Sequence, residues 1–206
     1  MIGVEKRFIS LSIKMIQQKT KQLMKLKPEI LQHPNIPKPL HGLAPRVILG
    51  QEWWDITRQE AYASTDYHCM SCGVHKTEAK YHQWLEAHED YNIDYEQGIM
   101  KINKIIPLCH SCHNFIHSGR LIITAEPYKI IDILKHGLTI LEDNNLKARY
   151  YTLDYAEDYF IKHNCKPIDE VISGVADWDK WKLILEGVEY FSKFKDYQDW
   201  LNYYNK

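Results

Sequence analysis

The sequence predicts an α+β protein in which a small core of strands and one helix is clamped by a four-cysteine zinc site and flanked by mostly helical segments. Three observations carry this. Two short pairs, Cys69-Met-Ser-Cys72 and Cys109-His-Ser-Cys112, are separated by 36 intervening residues, the paired arrangement that a tetrahedral structural zinc site asks for. An alternating stretch, Ile99 to Ile106, runs into the second pair, and His113 and His117 follow it at helical spacing. On both sides of this centre, apolar residues recur with the helical period.

Taken in order, Phe8, Leu11, Met15, Leu23 and Leu26 trace an amphipathic helix, and seven Lys/Arg fall in the first thirty residues against Glu5 and Glu29. Pro28 is poorly placed inside a helix, and His33-Pro-Asn-Ile-Pro-Lys-Pro breaks the chain, so residues 1–35 are read as a basic N-terminal helix with its exit. A helix is expected from Trp53 to Ser64, leading into the first knuckle. Asn92 to Gly98 reads as a turn, Ile99 to Ile106 as a strand ended by Pro107, and Cys112 to His117 as the start of a helix. These elements make up a core over residues 36–119.

The remainder, residues 120–206, reads as mostly helical. Leu121 to Thr124 suits a short strand, Pro127 to Leu141 a helix, Leu153 to His163 a second helix, and Trp178 to Tyr204 a long one with the stripe Trp181, Leu185, Val188, Phe191 and Phe194. From Tyr151 onward there are 7 Lys/Arg and 11 Asp/Glu, so this end is acidic where the N-terminus is basic, which suits a protein-facing surface. The whole chain of 206 residues carries a net charge of -1, so no global basic field draws in nucleic acid. An odd cysteine count (Cys165 is left over), no charged-then-apolar leader and no long apolar run predict a cytoplasmic protein with no membrane partner, where paired cysteines serve as metal ligands.

Spacing separates the chemistries open to the central stretch. Cys109-His-Ser-Cys112-His113 fits covalent haem attachment, yet that leaves Cys69 and Cys72 unexplained. A zinc deaminase needs H-x-E and P-C-x-x-C, and here His88-Glu89 and Pro107-Leu-Cys109 each miss by one position. A zinc metalloprotease needs H-E-x-x-H, and His113-Asn-Phe-Ile-His117 has asparagine in place of the base. The fourth reading makes Cys69, Cys72, Cys109 and Cys112 a structural Zn²⁺ clamp and leaves the histidines for a second task.

Trp53 to Arg58, Cys69-x2-Cys72-Gly73, Leu85-Glu-Ala-His88 and Ile105-Ile-Pro-Leu-Cys109-x2-Cys112-His113 resemble the zinc-containing branch of the HNH endonuclease family over about residues 53–117. The resemblance implies a ββα-metal core and hydrolysis of phosphodiester bonds in nucleic acid, DNA in preference. It also implies a catalytic Mg²⁺ or other divalent cation in addition to the structural zinc. Carried over, His113 matches the final histidine, His117 adds a ligand or phosphate contact, Asn103 lies near the middle position and His88 falls in the first motif. Two registers are open there: His88 as ligand with Glu89 as general base, or His88 as base with Ala87 at the ligand position. The incomplete motif leaves a competing expectation, a zinc-stabilised HNH-like binding module that acts as an inhibitor or adaptor and docks a protein through its C-terminal region.

Overall fold

The computed structural model describes residues 25–34, 36–148 and 176–204. The basic N-terminal helix and the helix expected over residues 153–163 lie outside this set, apart from Lys25 to Gln32, where Pro28–Gln32 forms a 3₁₀ turn with Pro28 in its first positions. The architecture is α+β. Helix α1 (Pro45–Ser64) precedes the knuckle, strands β1 (Glu86–Asp94) and β2 (Ile99–Leu108) form an antiparallel hairpin, and α2 (His110–Ile116), α3 (Ser118–Thr124) and α4 (Pro127–Asp143) follow. Strands β3 (Lys182–Leu185) and β4 (Val188–Phe191) and helix α5 (Tyr197–Tyr204) close the described chain. The sheet runs β1-β2-β3-β4, with β2 and β3 parallel and the other pairs antiparallel.

The stretch Trp178–Tyr204 is therefore a strand hairpin and a short helix rather than one long helix. Trp181 and Leu185 are spaced for a helix, but Trp181, Leu183 and Leu185 are the buried set, which is the period of two of a strand. Glu186 and Gly187 both adopt positive φ, 51° and 80°, the two-residue turn whose twist suits a hairpin. Leu121 to Thr124 belongs to helix α3, not to a strand, and Leu121 is its buried apolar contact. Helix α1 begins eight residues before Trp53 and is interrupted at Gly50, whose φ of 89° is glycine territory.

A bulge sets the two faces of the hairpin. Asp90 pairs with Lys104 and Tyr91 with Ile102, so Asn103 is the extra, unpaired residue of β2. Strict alternation from Ile105 would place Asn103 and Lys101 on its face. The extra residue instead brings Ile102 and Met100 there, where they pack with Tyr91, Leu183 and Trp181 beneath α1. On the other face Ile106 and Leu108 pack with Phe115, Ile116, Ile133 and Leu141 of the helices and with Ile30 and Leu31 of the 3₁₀ turn. Pro107 does not end the strand, since it pairs with Ala87. Its carbonyl turns away from β1 to accept from the Met70 amide at 2.8 Å, and its missing N–H lies on that same unpaired side.

Helix α4 supports α2 at close range. A Cβ on Gly137 would lie 2.1 Å from Cδ2 of the fully buried Phe115. Gly137→Ala is expected to displace that ring and cost about 1–3 kcal/mol, the usual penalty of overpacking. Urea unfolding of the variant measures it, and an unchanged midpoint would mean that α4 does not fix α2.

Candidate functional site

The four cysteines meet at the junction of the knuckle, β2 and α2. Their sulfur atoms all lie within 4.8 Å of one another, and Cys72 Sγ is 3.8 Å from Cys109 Sγ. Zinc–sulfur bonds of about 2.3 Å in a tetrahedron place sulfurs roughly 3.8 Å apart, so the measured edge is that of a four-thiolate cage. Backbone bonds hold the knuckle in shape: Cys69 N–H donates to Val74 O and Gly73 N–H to Cys69 O, with Gly73 at a φ of 73°. Cys69 and Cys112 are fully buried.

The charges of this cluster ask for a cation. Hydrogen bonds from Cys112 and Cys69 pull Cys109 far below the usual thiol range, while the same contacts push Cys112 well up and burial pushes Cys69 up. Four thiolates this close repel one another, and a divalent ion would let all four deprotonate. His136 of α4 stands 3.5 Å from Cys112 Sγ, and hydrogen bonding to the sulfurs of Cys109 and Cys72 raises it to about 9. The four-cysteine cluster can thus hold a metal and is compatible with structural zinc.

A second cluster lies on the face of β1 that looks at α2. His88, His113 and His117 each offer a ring nitrogen, and these atoms also fall within 4.8 Å of one another. His113 and His117 come from successive turns at the end of α2, ring centroids 4.7 Å apart, and His88 is 5.4 Å from each. Burial depresses His88 well below the ordinary imidazole range, and burial with the neighbouring His113 lowers His117 to about 4. Both rings are therefore neutral at physiological pH, the form that ligates metals.

The surrounding hydrogen bonds assign the ring nitrogens. His113 Nδ1 is bonded to Glu86 Oε2, which leaves Nε2 for the cluster. His88 Nε2 faces His33 Nδ1 at 3.3 Å, and Nε2 of His33 faces Asp90 Oδ1 at 3.8 Å. The other nitrogen of His88, Nδ1, is buried and has no hydrogen-bond partner among the described residues. Buried polar atoms rarely stay unpaired, so this nitrogen marks a missing ligand. Burial would raise the Glu86 carboxyl, but hydrogen bonds from His113 and His110 hold it down to about 2. Asp90 carries a further ion pair to Lys27 at 2.7 Å, and a cavity of about 440 Å³ opens beside His33, Asp90 and Asn103.

Strand alternation sends Glu86, His88 and Asp90 to this face and Glu89 to the other, where burial raises its carboxyl. Neither Glu89 nor Asn103 is among the side chains that converge with His88; Asn103 sits in the bulge. Glu86 and Asp90 are the alternation partners of His88, a signal that exists only where β1 is a strand. His33 carried no such signal, because it reaches the site from 55 residues away.

No protein-family model matches the chain, and no curated protein or solved structure shows a significant similarity to it. None of the described helices is long and apolar enough to cross a membrane.

Proposed function

We propose that this protein is a divalent-metal-dependent phosphodiesterase of the HNH type, acting on nucleic acid and DNA in preference, with structural zinc at Cys69, Cys72, Cys109 and Cys112. The observation that carries the reading is the convergence of His88, His113 and His117 on a hairpin and helix that the four cysteines pin together. Three imidazoles can hold Zn²⁺, Mn²⁺ or a similar ion and leave coordination positions open to substrate, and Mg²⁺ suits such a nitrogen set less well. When bound, the ion would supply charge for the phosphate oxygens and lower the pKa of a water. The chain's own residues do the rest. Glu86 fixes the tautomer of His113, and His33 with Asp90 behind it fixes His88, so both rings are held in register before any cation arrives.

The test is cleavage of supercoiled plasmid and single-stranded oligonucleotide across Mg²⁺, Mn²⁺, Ni²⁺ and Zn²⁺. Cleavage by the wild type and none by His113→Ala is the expected pattern; intact substrate under every condition would end the proposal. Glu89→Gln should cleave at near wild-type rate, since its side chain faces away from the three rings. Glu86→Gln keeps the shape of the side chain but loses the charge, and should weaken metal binding at the histidines by about 10–100-fold, measured by competition with a chromophoric chelator.

The position of Glu89 also favours a second reading: with Glu89 turned away from the three rings and Glu86 engaged by His113 and His110, the cluster stabilises a binding module. That module would hold metal and bind a protein partner through its C-terminal region without turning over nucleic acid, which the same cleavage assay separates.

A further inference from the structure

A third convergence of ligand atoms lies beside the two already described. We infer that His82, Glu86 and His110 form an additional site for a transition-metal dication, coupled to the His88, His113 and His117 cluster through the shared carboxylate of Glu86. Their ligand atoms all lie within 4.8 Å of one another. His110, the first residue of α2, brings Nδ1 to 2.6 Å from Glu86 Oε1, and the ring of His82 stands edge-on to His110 with centroids 4.2 Å apart. Two imidazoles and one carboxylate are the ligand set that takes Mn²⁺, Fe²⁺ or Zn²⁺ and leaves positions for water or a phosphate oxygen.

The supporting shell is built. His82 is stacked on Trp84 at 4.1 Å and 12°, which fixes its ring plane, and the Asn114 amide donates to the His110 carbonyl at 3.0 Å across the helix turn that carries the ring. Glu86 and His110 keep 23% and 11% of their side-chain surface exposed, so an ion from solvent reaches them. The two oxygens of Glu86 face different histidines, Oε1 toward His110 and Oε2 toward His113. Ligand bonds near about 2.1 Å separate neighbouring donor atoms by roughly 3.0–3.4 Å, so the hydrogen-bonded Nδ1 to Oε1 edge opens by less than about 1 Å when an ion replaces the shared proton. A cation there stands one carboxylate away from the three-histidine cluster, on the side of α2's first turn.

Mn²⁺ discriminates the sites because it prefers nitrogen and oxygen to thiolate, so protein supplied with a single equivalent of Zn²⁺, which the four thiolates take first, is titrated with Mn²⁺ and the bound ion is counted by equilibrium dialysis and electron paramagnetic resonance. Two Mn²⁺ per chain are expected for the wild type, and one for His82→Ala. His82→Phe keeps the stack on Trp84 while removing both ring nitrogens, and should also bind one. The inference is independent of the three-histidine reading, which His117→Ala tests in the same titration: if that reading fails, the wild type binds a single Mn²⁺ that His117→Ala retains and His82→Phe loses. A count that His82→Phe and His82→Ala leave unchanged overturns the additional site.

Discussion

Replacing Cys112 by serine is expected to abolish metal binding at the four-cysteine cluster and to unfold the hairpin and helix that it joins. Cys112 is wholly buried, its sulfur lies among those of the other three cysteines and 3.5 Å from His136, and it sits in the first turn of the helix that carries His113 and Phe115 and leads into His117. Structural zinc bound by such cages contributes about 10–16 kcal/mol of apparent binding free energy that is also folding free energy. A domain of this size has a net stability of only about 5–15 kcal/mol, so losing even half of the zinc contribution leaves the core marginal. The packing around the cage depends on it directly, because Cys69, Cys109 and Cys112 are themselves members of the core with Phe115, Ile133 and Leu141. The variant should show no sulfur-bound metal, a broadened thermal transition at much lower temperature and loss of near-ultraviolet circular dichroism. Chelation of the wild type should do the same, reversibly on adding zinc. A Cys112→Ser protein that melts where the wild type does would show that packing alone holds the junction.

Removing one imidazole from the second cluster should leave the fold in place and remove the proposed phosphodiesterase activity. His113 lies outside the two apolar core clusters, and its loss costs the hydrogen bond to Glu86 and the ring contacts to His88 and His117. The cation it would help to hold is worth several kcal/mol to a phosphodiester transition state, and each 1.36 kcal/mol is tenfold in rate, so His113→Ala should lower cleavage by about 10³-fold or more. His88→Ala should be equally inactive but also less stable, because His88 is fully buried between β1 and α2. Rates compared at matched folded fractions separate the two effects. A His113→Ala variant that cleaves within threefold of wild type would remove this histidine from the proposed reaction.

The sequence showed the metal chemistry more clearly than the chain path around it. Two Cys-x2-Cys pairs and the run Cys112-His113 to His117 are local patterns, and their geometry follows from knuckle and helix periods of a few residues. The partners that orient the histidines were hidden for different reasons. Glu86 and Asp90 flank His88 at spacing two, visible only once β1 is known to be a strand, and β1 with Glu86, His88, Glu89, Asp90, Asn92 and Asp94 lacks the apolar alternation that marks one. Charged residues stand there because its inner face meets imidazoles instead of aliphatic core. The bulge at Asn103 was invisible because it depends on the register of two strands, and it is what moves Asn103 out of line with the site. Trp181 misled the reading of the C-terminal end, since one stripe satisfies both periods until the Glu186-Gly187 turn decides between them. The pairing of β3 with β2 across more than eighty residues has no local signature at all.

We propose that His88, His113 and His117 jointly hold the ion at which a phosphodiester is cut. It is tested most directly by crystals of the zinc-loaded protein with a bound oligonucleotide and Mn²⁺, with diffraction recorded at the manganese edge. The expected result is an anomalous peak within ligand distance, about 2.0–2.3 Å, of one nitrogen from each of the three rings, with a backbone phosphate oxygen on the same ion. Cleaved oligonucleotide in crystals with no manganese between these histidines would contradict it.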